Sequence, residues 1–205
     1  MSIVLEDLDL PHWITTYTGR KFRLWDPDPE MIDLRDISAG LSKICRFAGQ
    51  IDRFYSVAEH SLNVWRLCEP LNPDPNTQIA CLLHDAAEAY IGDLPTPLKR
   101  LLADAGFPID LLEDRILAAV WRRFGIEMNA DLWDQVMRHD RQMLAREVRR
   151  LVPAAIDWES PIDRLSVGWE EFARWNSIRF LDPETARMEF ERTAMELLGQ
   201  MRDSR

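Results

Sequence analysis

His84, Asp85 and Glu88 are the ionisable side chains in the otherwise apolar run Ile79–Tyr90 of the stretch IACLLHDAAEAYIGDLPTPLK. On a helical wheel Ile79, Leu82, Leu83, Ala86 and Tyr90 share one face, and His84, Asp85 and Glu88 lie opposite among Ala80, Cys81 and Ala87. The pattern predicts a buried helix from Ile79 running into a Gly-Asp-Leu-Pro-Thr-Pro turn. Burying an imidazole and two carboxylates is costly unless each is paired, protonated or bound to a metal. Two further residues of ligand type fall on inward faces. His60 lies on the stripe Val57, His60, Val64, Leu67, Cys68, and Asp140 lies on that of Leu132, Val136, Met143, Val148 and Leu151. Two imidazoles and two carboxylates make a mixed nitrogen and oxygen site, suited to Mn, Fe, Co, Ni or Zn rather than Ca. On an octahedral ion, four protein ligands leave room for water and substrate. A divalent ion lowers the pKa of water and polarises a phosphoryl oxygen, which is hydrolase chemistry.

The elements that must carry these residues are mostly helices. WITTYTGRKFRLW, residues 13–25, reads as a β-hairpin turning at Thr18-Gly19. After DPDPE, Asp33 or Asp36 caps a helix with an Ile37, Leu41, Ile44, Cys45 stripe that stops near Gly49. At its end Arg46 reads, from spacing alone, as a cation complementing the helix dipole. Ser56 and Glu59 form a capping box for the His60 helix. Asn76 or Thr77 caps the central helix, and a short polar stretch follows Lys99-Arg100. Helices are then expected from about Ile109 to Phe124, ended by Gly125, and from about Asp131 to Leu151. Glu147, two turns after Asp140, reads as a partner for Arg146, Arg150 or another surface arginine. Pro153 stops that helix. A loop to Trp169 precedes a helix over Glu170–Phe180 and a last one opened by Asp182-Pro183.

A chain of 205 residues, 46% hydrophobic and 29% charged, is compatible with one globular domain. Its net charge of -10 argues against stable nucleic-acid binding or membrane-surface attachment. A metal and a few basic side chains can still hold a small anion. Cys45, Cys68 and Cys81 lack CxxC spacing and read as free thiols of a reducing compartment. With no signal-peptide pattern in MSIVLEDLDLPHW, a cytoplasmic protein is expected.

The order His…His-Asp…Asp resembles the HD-domain superfamily of metal-dependent phosphohydrolases. SVAEHS around His60, LLHDAAEAYIGDLPTPLK and the helical Asp140 are most similar to the bacterial 5′-deoxynucleotidases of the YfbR type and their phage and bacterial relatives. The resemblance covers about Ile37–Leu151. It implies a mainly α protein, an HD-domain helical bundle with a small N-terminal β-hairpin. The expected layout is a single domain over 1–205: hairpin about 13–25, core about 33–152, C-terminal helices about 170–202. Residue by residue, the resemblance makes His60, His84, Asp85 and Asp140 the metal ligands, Glu88 the catalytic glutamate, and Asp93 a second acid near the ribose or the attacking water. Arg46-Phe47 stands where those enzymes have Arg-Trp, and with Phe in place of Trp the resemblance does not carry over the sugar and base contacts. Arg53 and Lys99 are the other basic residues placed to face phosphate. One divalent ion per chain is implied, as Co, Mn, Zn, Fe, Ni or Mg. Only His12 and His139 remain outside the motif, too few for a two-metal site of the cyclic-dinucleotide phosphodiesterase type. The implied activity is a 5′-nucleotidase releasing phosphate from (deoxy)nucleoside monophosphates. The alternatives are a dNTP triphosphohydrolase of the dATP type and an inactive nucleotide-binding regulator. The implied partners are a small-molecule nucleotide and further copies of the chain in a dimer or larger oligomer.

Overall fold

The computed structural model describes residues 12–72, 74–152 and 178–204. Strands β1 (Trp13–Thr15) and β2 (Lys21–Arg23) form the expected hairpin, with Ile14 opposite Phe22. Gly19, at φ +82, supplies the left-handed residue of its turn. The hairpin is pinned to the body twice. Phe22 is fully buried and stacks on Tyr90 with ring centroids 3.9 Å apart. The Thr18 backbone N–H and hydroxyl both donate to the Asp36 carboxylate, at 2.7 and 3.0 Å.

Eight α-helices follow among the described residues: α1 (Leu34–Leu41), α2 (Val57–Cys68), α3 (Pro75–Leu82), α4 (Glu88–Ile91), α5 (Thr96–Asp104), α6 (Ile109–Phe124), α7 (Ala130–Leu151) and α8 (Pro183–Asp203). The inward face of α2 packs on α3, α7 and α8, and α8 also closes over α1 and α3. Ile37, Leu62, Ile79, Leu82, Val136, Phe190 and Ala194 meet in this core, all without exposed surface. Sequence signals set several ends as expected. Asp33 caps α1, Asp182 caps α8 ahead of Pro183, and Gly125 ends α6 in the left-handed conformation.

Four local expectations are corrected. The first helix ends at Leu41 rather than near Gly49, and Cys45 instead pairs with Ser56 in an isolated β-bridge. Asp74, not Asn76 or Thr77, caps α3, accepting from both of their backbone N–H groups. The stretch around Lys99 is helical: Pro95 precedes α5 and Pro97 sits in its first turn, where a missing N–H costs nothing. Half of the Ser56 capping box is used. Ser56 accepts from the Glu59 N–H, but the Glu59 carboxylate turns away and accepts from the backbone N–H groups of Arg179, Phe180 and Leu181. The buried Glu59 thereby ties the lead-in of α8 to α2. The expected loop to Trp169, and the following helix from Glu170 through residue 177, lie outside the described residues. Ile178–Phe180 is not helical.

α1 and α4 cross closely at Gly40. A Cβ there would stand 2.8 Å from the Ala89 carbonyl oxygen and 2.9 Å from its Cα. In a solvent-facing helix, Gly→Ala gains about 0.5–1 kcal/mol; at this crossing the overlap falls on backbone and α4 must move. Gly40→Ala is expected to cost about 1–3 kcal/mol net, read as a lowered midpoint in denaturant unfolding. It is also expected to lower activity, because Ala89 adjoins Glu88. An unchanged midpoint would show that the crossing yields freely.

Candidate metal centre

The helix expected through Ile79–Tyr90 is broken at the His-Asp pair. α3 ends at Leu82, Leu83 turns to φ -100 and ψ 11, and the chain proceeds through i→i+3 bonds such as Ala86 N–H to the Leu83 carbonyl. The His84 side chain accounts for the break. Its Nδ1 lies 2.9 Å from the Cys81 carbonyl, the oxygen that would accept from the Asp85 N–H in a continuous helix. The turn swings His84 and Asp85 toward His60 on α2 and Asp140 on α7.

The donor atoms converge there. His60 Nε2 lies 3.3 Å from His84 Nε2, 3.1 Å from Asp140 Oδ1 and 3.4 Å from Asp85 Oδ2. His84 Nε2 lies 3.2 Å from Asp85 Oδ2 and 3.7 Å from Asp140 Oδ1. Ligand atoms held at about 2.1 Å from one ion stand about 3.0–3.4 Å apart in octahedral or tetrahedral geometry, so these separations fit a single cation. The tautomers fit as well. His60 Nδ1 is 2.6 Å from Glu147 Oε1, and His84 Nδ1 faces a carbonyl. An ionised carboxylate and a carbonyl only accept, so both Nδ1 atoms carry the hydrogen. In the neutral rings both Nε2 lone pairs then face the same space. Two buried lone pairs pointed at each other repel unless a proton or a cation lies between them. His60, His84 and Asp140 are the set of donors that could hold an ion, and Asp85 reaches both imidazoles beside them.

The electrostatics call for positive charge. Burial lowers the proton affinity of both imidazoles, but the surrounding carboxylates carry His60 and His84 above their ordinary values. Burial raises the Asp140 pKa, and its bonds to His60 and His84 outweigh that and hold it well below the carboxylate range. The fixed cations nearby are Arg46 and Lys99, and the Lys99 ammonium is already 2.7 Å from Glu113.

The other expected residues fall at different distances from this cluster. Glu88 opens α4, is buried, and its Oε2 has no hydrogen-bond partner. Burial first, then the charges of Asp85 and Asp93, push its pKa well above the usual carboxylate value, against Arg46 and Lys99. Asp93 is half-buried and raised by burial, within the influence of Arg46, Asp85, His60 and Lys99. Arg46 is not a helix-end cation. It precedes the 3-10 turn Phe47–Gly49, is buried, donates through Nε to Glu147 Oε2 at 3.2 Å, and sets Nη2 in an ion pair 3.1 Å from the same oxygen. Its Nη1 stands 3.5 Å from Asp85 Oδ2. Phe47 and Ala48 hold φ of 57 and 50, a left-handed pair of non-glycine residues that costs about 1–3 kcal/mol each. The Arg53 guanidinium is exposed and lies 5.1 Å over the Phe180 ring.

Glu147 corrects the sequence reading most. The arginine it bonds to is the buried Arg46. Glu147 is fully buried and bonds to His60, to the Tyr55 hydroxyl at 2.7 Å and to Arg46. Its seven-residue spacing from Asp140 on a buried stripe was the available signal; Tyr55 carried none. Removing Arg46 takes its guanidinium away from both the buried Glu147 and Asp85. Arg46→Ala is therefore expected to cost about 3–5 kcal/mol, measured by denaturant unfolding of the metal-free protein. A loss below about 1 kcal/mol would mean that Glu147 is adequately held by Tyr55 and His60.

A helical bundle that brings His, His-Asp and Asp from three places onto one cation-sized centre defines a class, and the comparisons agree with it. The HD domain family model matches residues 57–157, a span holding all four donors. The chain carries an HD domain. It is 40% identical over 114 residues to the uncharacterized protein YfdR of Escherichia coli (strain K12), and 42% identical over 118 residues to an uncharacterized protein of Rhodobacter capsulatus. Each match covers 56% of this chain and 59% of the relative; the chain thus spans less than two thirds of their length. No helix among the described residues is long and apolar enough to cross a membrane.

Proposed function

We propose that this chain is a divalent-metal-dependent phosphohydrolase of nucleotides, acting first as a 5′-nucleotidase of the YfbR type on (deoxy)nucleoside monophosphates. The observation that carries the proposal is the convergence of two bare Nε2 atoms and two carboxylates beside Glu88, a buried carboxyl with an unbonded oxygen. His60, His84, Asp85 and Asp140 would hold the ion. When bound, the ion supplies Lewis acidity toward a phosphoryl oxygen and makes water a better nucleophile.

The chain's own residues supply the rest. Glu88, whose burial makes it hold a proton more tightly than an exposed carboxyl, exchanges that proton with water or with the leaving oxygen. Asp93, on the same rim, orients the attacking water or the ribose. Arg46 Nη1, its loosest contact at 3.5 Å, is the arm that turns to phosphate, which binds it through charge-assisted bonds. Lys99 adds charge from the rim. Phe47 lies beside the Arg46 guanidinium at 5.6 Å and offers a ring face to the nucleoside. Arg53, held over Phe180, is the further basic residue offered to phosphate. The test is a screen of nucleoside mono-, di- and triphosphates with Mn, Co, Zn, Ni, Fe and Mg, in which the phosphorus product is identified. Inorganic phosphate from monophosphates supports the proposal. Triphosphate released from a dNTP would replace it with the triphosphohydrolase reading. No turnover with any ion would leave a nucleotide-binding regulator.

A further inference from the structure

We infer that Glu147 is the positioning residue of the metal centre: its carboxylate fixes the tautomer and aim of His60, and Tyr55 and Arg46 hold that carboxylate in place. The inference rests on the divalent-ion reading of the site above. Glu147 is neither a ligand nor a catalytic residue by geometry. Its Oε1 meets Nδ1, on the edge of the imidazole remote from the Nε2 that faces the other donors, and the side chain has no exposed surface through which to meet a substrate.

Each of its oxygens is committed. Oε1 accepts from His60 Nδ1 at 2.6 Å and from the Tyr55 hydroxyl at 2.7 Å; Oε2 accepts from Arg46 Nε at 3.2 Å and pairs ionically with its Nη2 at 3.1 Å. The support runs further back. Asn63 donates to the Tyr55 hydroxyl at 3.0 Å, Arg66 donates to Asn63 at 2.9 Å and pairs with Glu189 on α8. His60 is thus anchored through a continuous chain of bonds to the last helix. The hydrogen-bond partners of Glu147 among the described residues are donors, so only an acceptor at both oxygens satisfies them. A carboxylate behind a ligand imidazole also raises its basicity and holds its ring, and loss of such a partner typically weakens metal binding 10–100-fold.

Glutamine discriminates sharply. In either amide orientation its NH2 group faces donors: Arg46 in one, His60 and Tyr55 in the other. The simplest relief is for His60 to accept at Nδ1 and carry its hydrogen on Nε2, which removes it as a ligand. Glu147→Gln is therefore expected to weaken Mn2+ binding by about 10–100-fold, read by calorimetric titration of the full chain at a temperature where wild type and variant are both folded. Tyr55→Phe keeps the carboxylate and removes one donor, so it is expected to weaken Mn2+ binding by less than Glu147→Gln does. The direct readout, which needs no variant, is nitrogen-15 NMR of histidine-labelled wild type loaded with Zn2+: His60 should show its hydrogen on Nδ1, slow to exchange.

An unchanged Mn2+ affinity in Glu147→Gln, with only the melting temperature lowered, would make Glu147 a structural residue and overturn the inference. So would a His60 hydrogen on Nε2 in the wild type. Wild type that binds no Mn2+ or Zn2+ would overturn the metal centre and this inference with it. Metal binding with the expected variant effects but no nucleotide turnover would overturn the proposed function alone.

Discussion

Replacing His60, His84 or Asp140 with alanine is expected to abolish both metal binding and turnover, without an equal effect on folding. Each removes one donor from a set whose members stand 3.1–3.7 Å apart, so the remaining ligands face an ion with an incomplete shell. The folded-state consequences differ by residue. His60→Ala deprives the fully buried Glu147 of its shortest bond, so it should lower the stability of the metal-free protein. His84→Ala frees the Cys81 carbonyl and takes an imidazole away from Asp85 and Asp140, but both carboxylates keep His60 as a partner, so it should cost less. Asp140→Ala removes one negative charge from a cluster already holding Asp85, and also two imidazole contacts. It should lose metal and, because those contacts hold its carboxyl well below the usual range, also lower the melting temperature of the metal-free protein. Metal content by elemental analysis, melting of the stripped protein and turnover are the three measurements. Chelation of the wild type should abolish activity, and added Mn or Co should restore it. Full turnover after exhaustive chelation would remove the metal from the mechanism.

The candidate donors were legible because a buried helix tolerates few ionisable residues, and those of α2, the His-Asp turn and α7 stand out against an apolar stripe. The hairpin was legible from its β-branched and aromatic residues around Thr18-Gly19. What escaped was decided by tertiary bonds with no local signature. The break after Leu82 arises when the His84 ring takes the carbonyl of Cys81, and periodicity alone continues the helix through it. α5 was hidden by Pro95 and Pro97, which read as turn residues although both stand where a helix accepts proline. Arg46 and Glu147 lie 101 positions apart, so neither spacing could disclose that each neutralises the other. The same holds for Glu59, whose capping-box position was legible while the partners of its carboxylate, residues 179–181, were not.

Glu88→Gln is expected to retain the metal and bind nucleotide while kcat falls by about 10²–10⁴-fold. Glu88 follows His84 by four residues, but the break before α4 sets its carboxyl at the rim of the donor cluster rather than in it. Its Oε2 is buried without a hydrogen-bond partner, an arrangement that costs stability and is kept where the group has work to do. Burial, Asp85 and Asp93 raise its pKa well above the ordinary value, so the metal-free protein holds a proton there more tightly than an exposed carboxyl does. A cation bound by the neighbouring ligands pulls the other way, bringing the group toward the range in which it both gives and takes a proton. Glutamine preserves the shape and a hydrogen-bonding end but cannot transfer that proton. It also removes a charge from among like charges, so the stripped variant should melt no lower than the wild type, and higher where the pH is high enough to ionise Glu88. Metal stoichiometry, nucleotide affinity and the single-turnover rate, taken on one preparation, separate the outcomes. Hydrolysis within a few-fold of wild type with metal retained would take Glu88 out of the mechanism and leave Asp93 as the proton-transfer group. Loss of the metal would make Glu88 a ligand or a support of the ligands, and the proton would have to be moved by another residue of the rim.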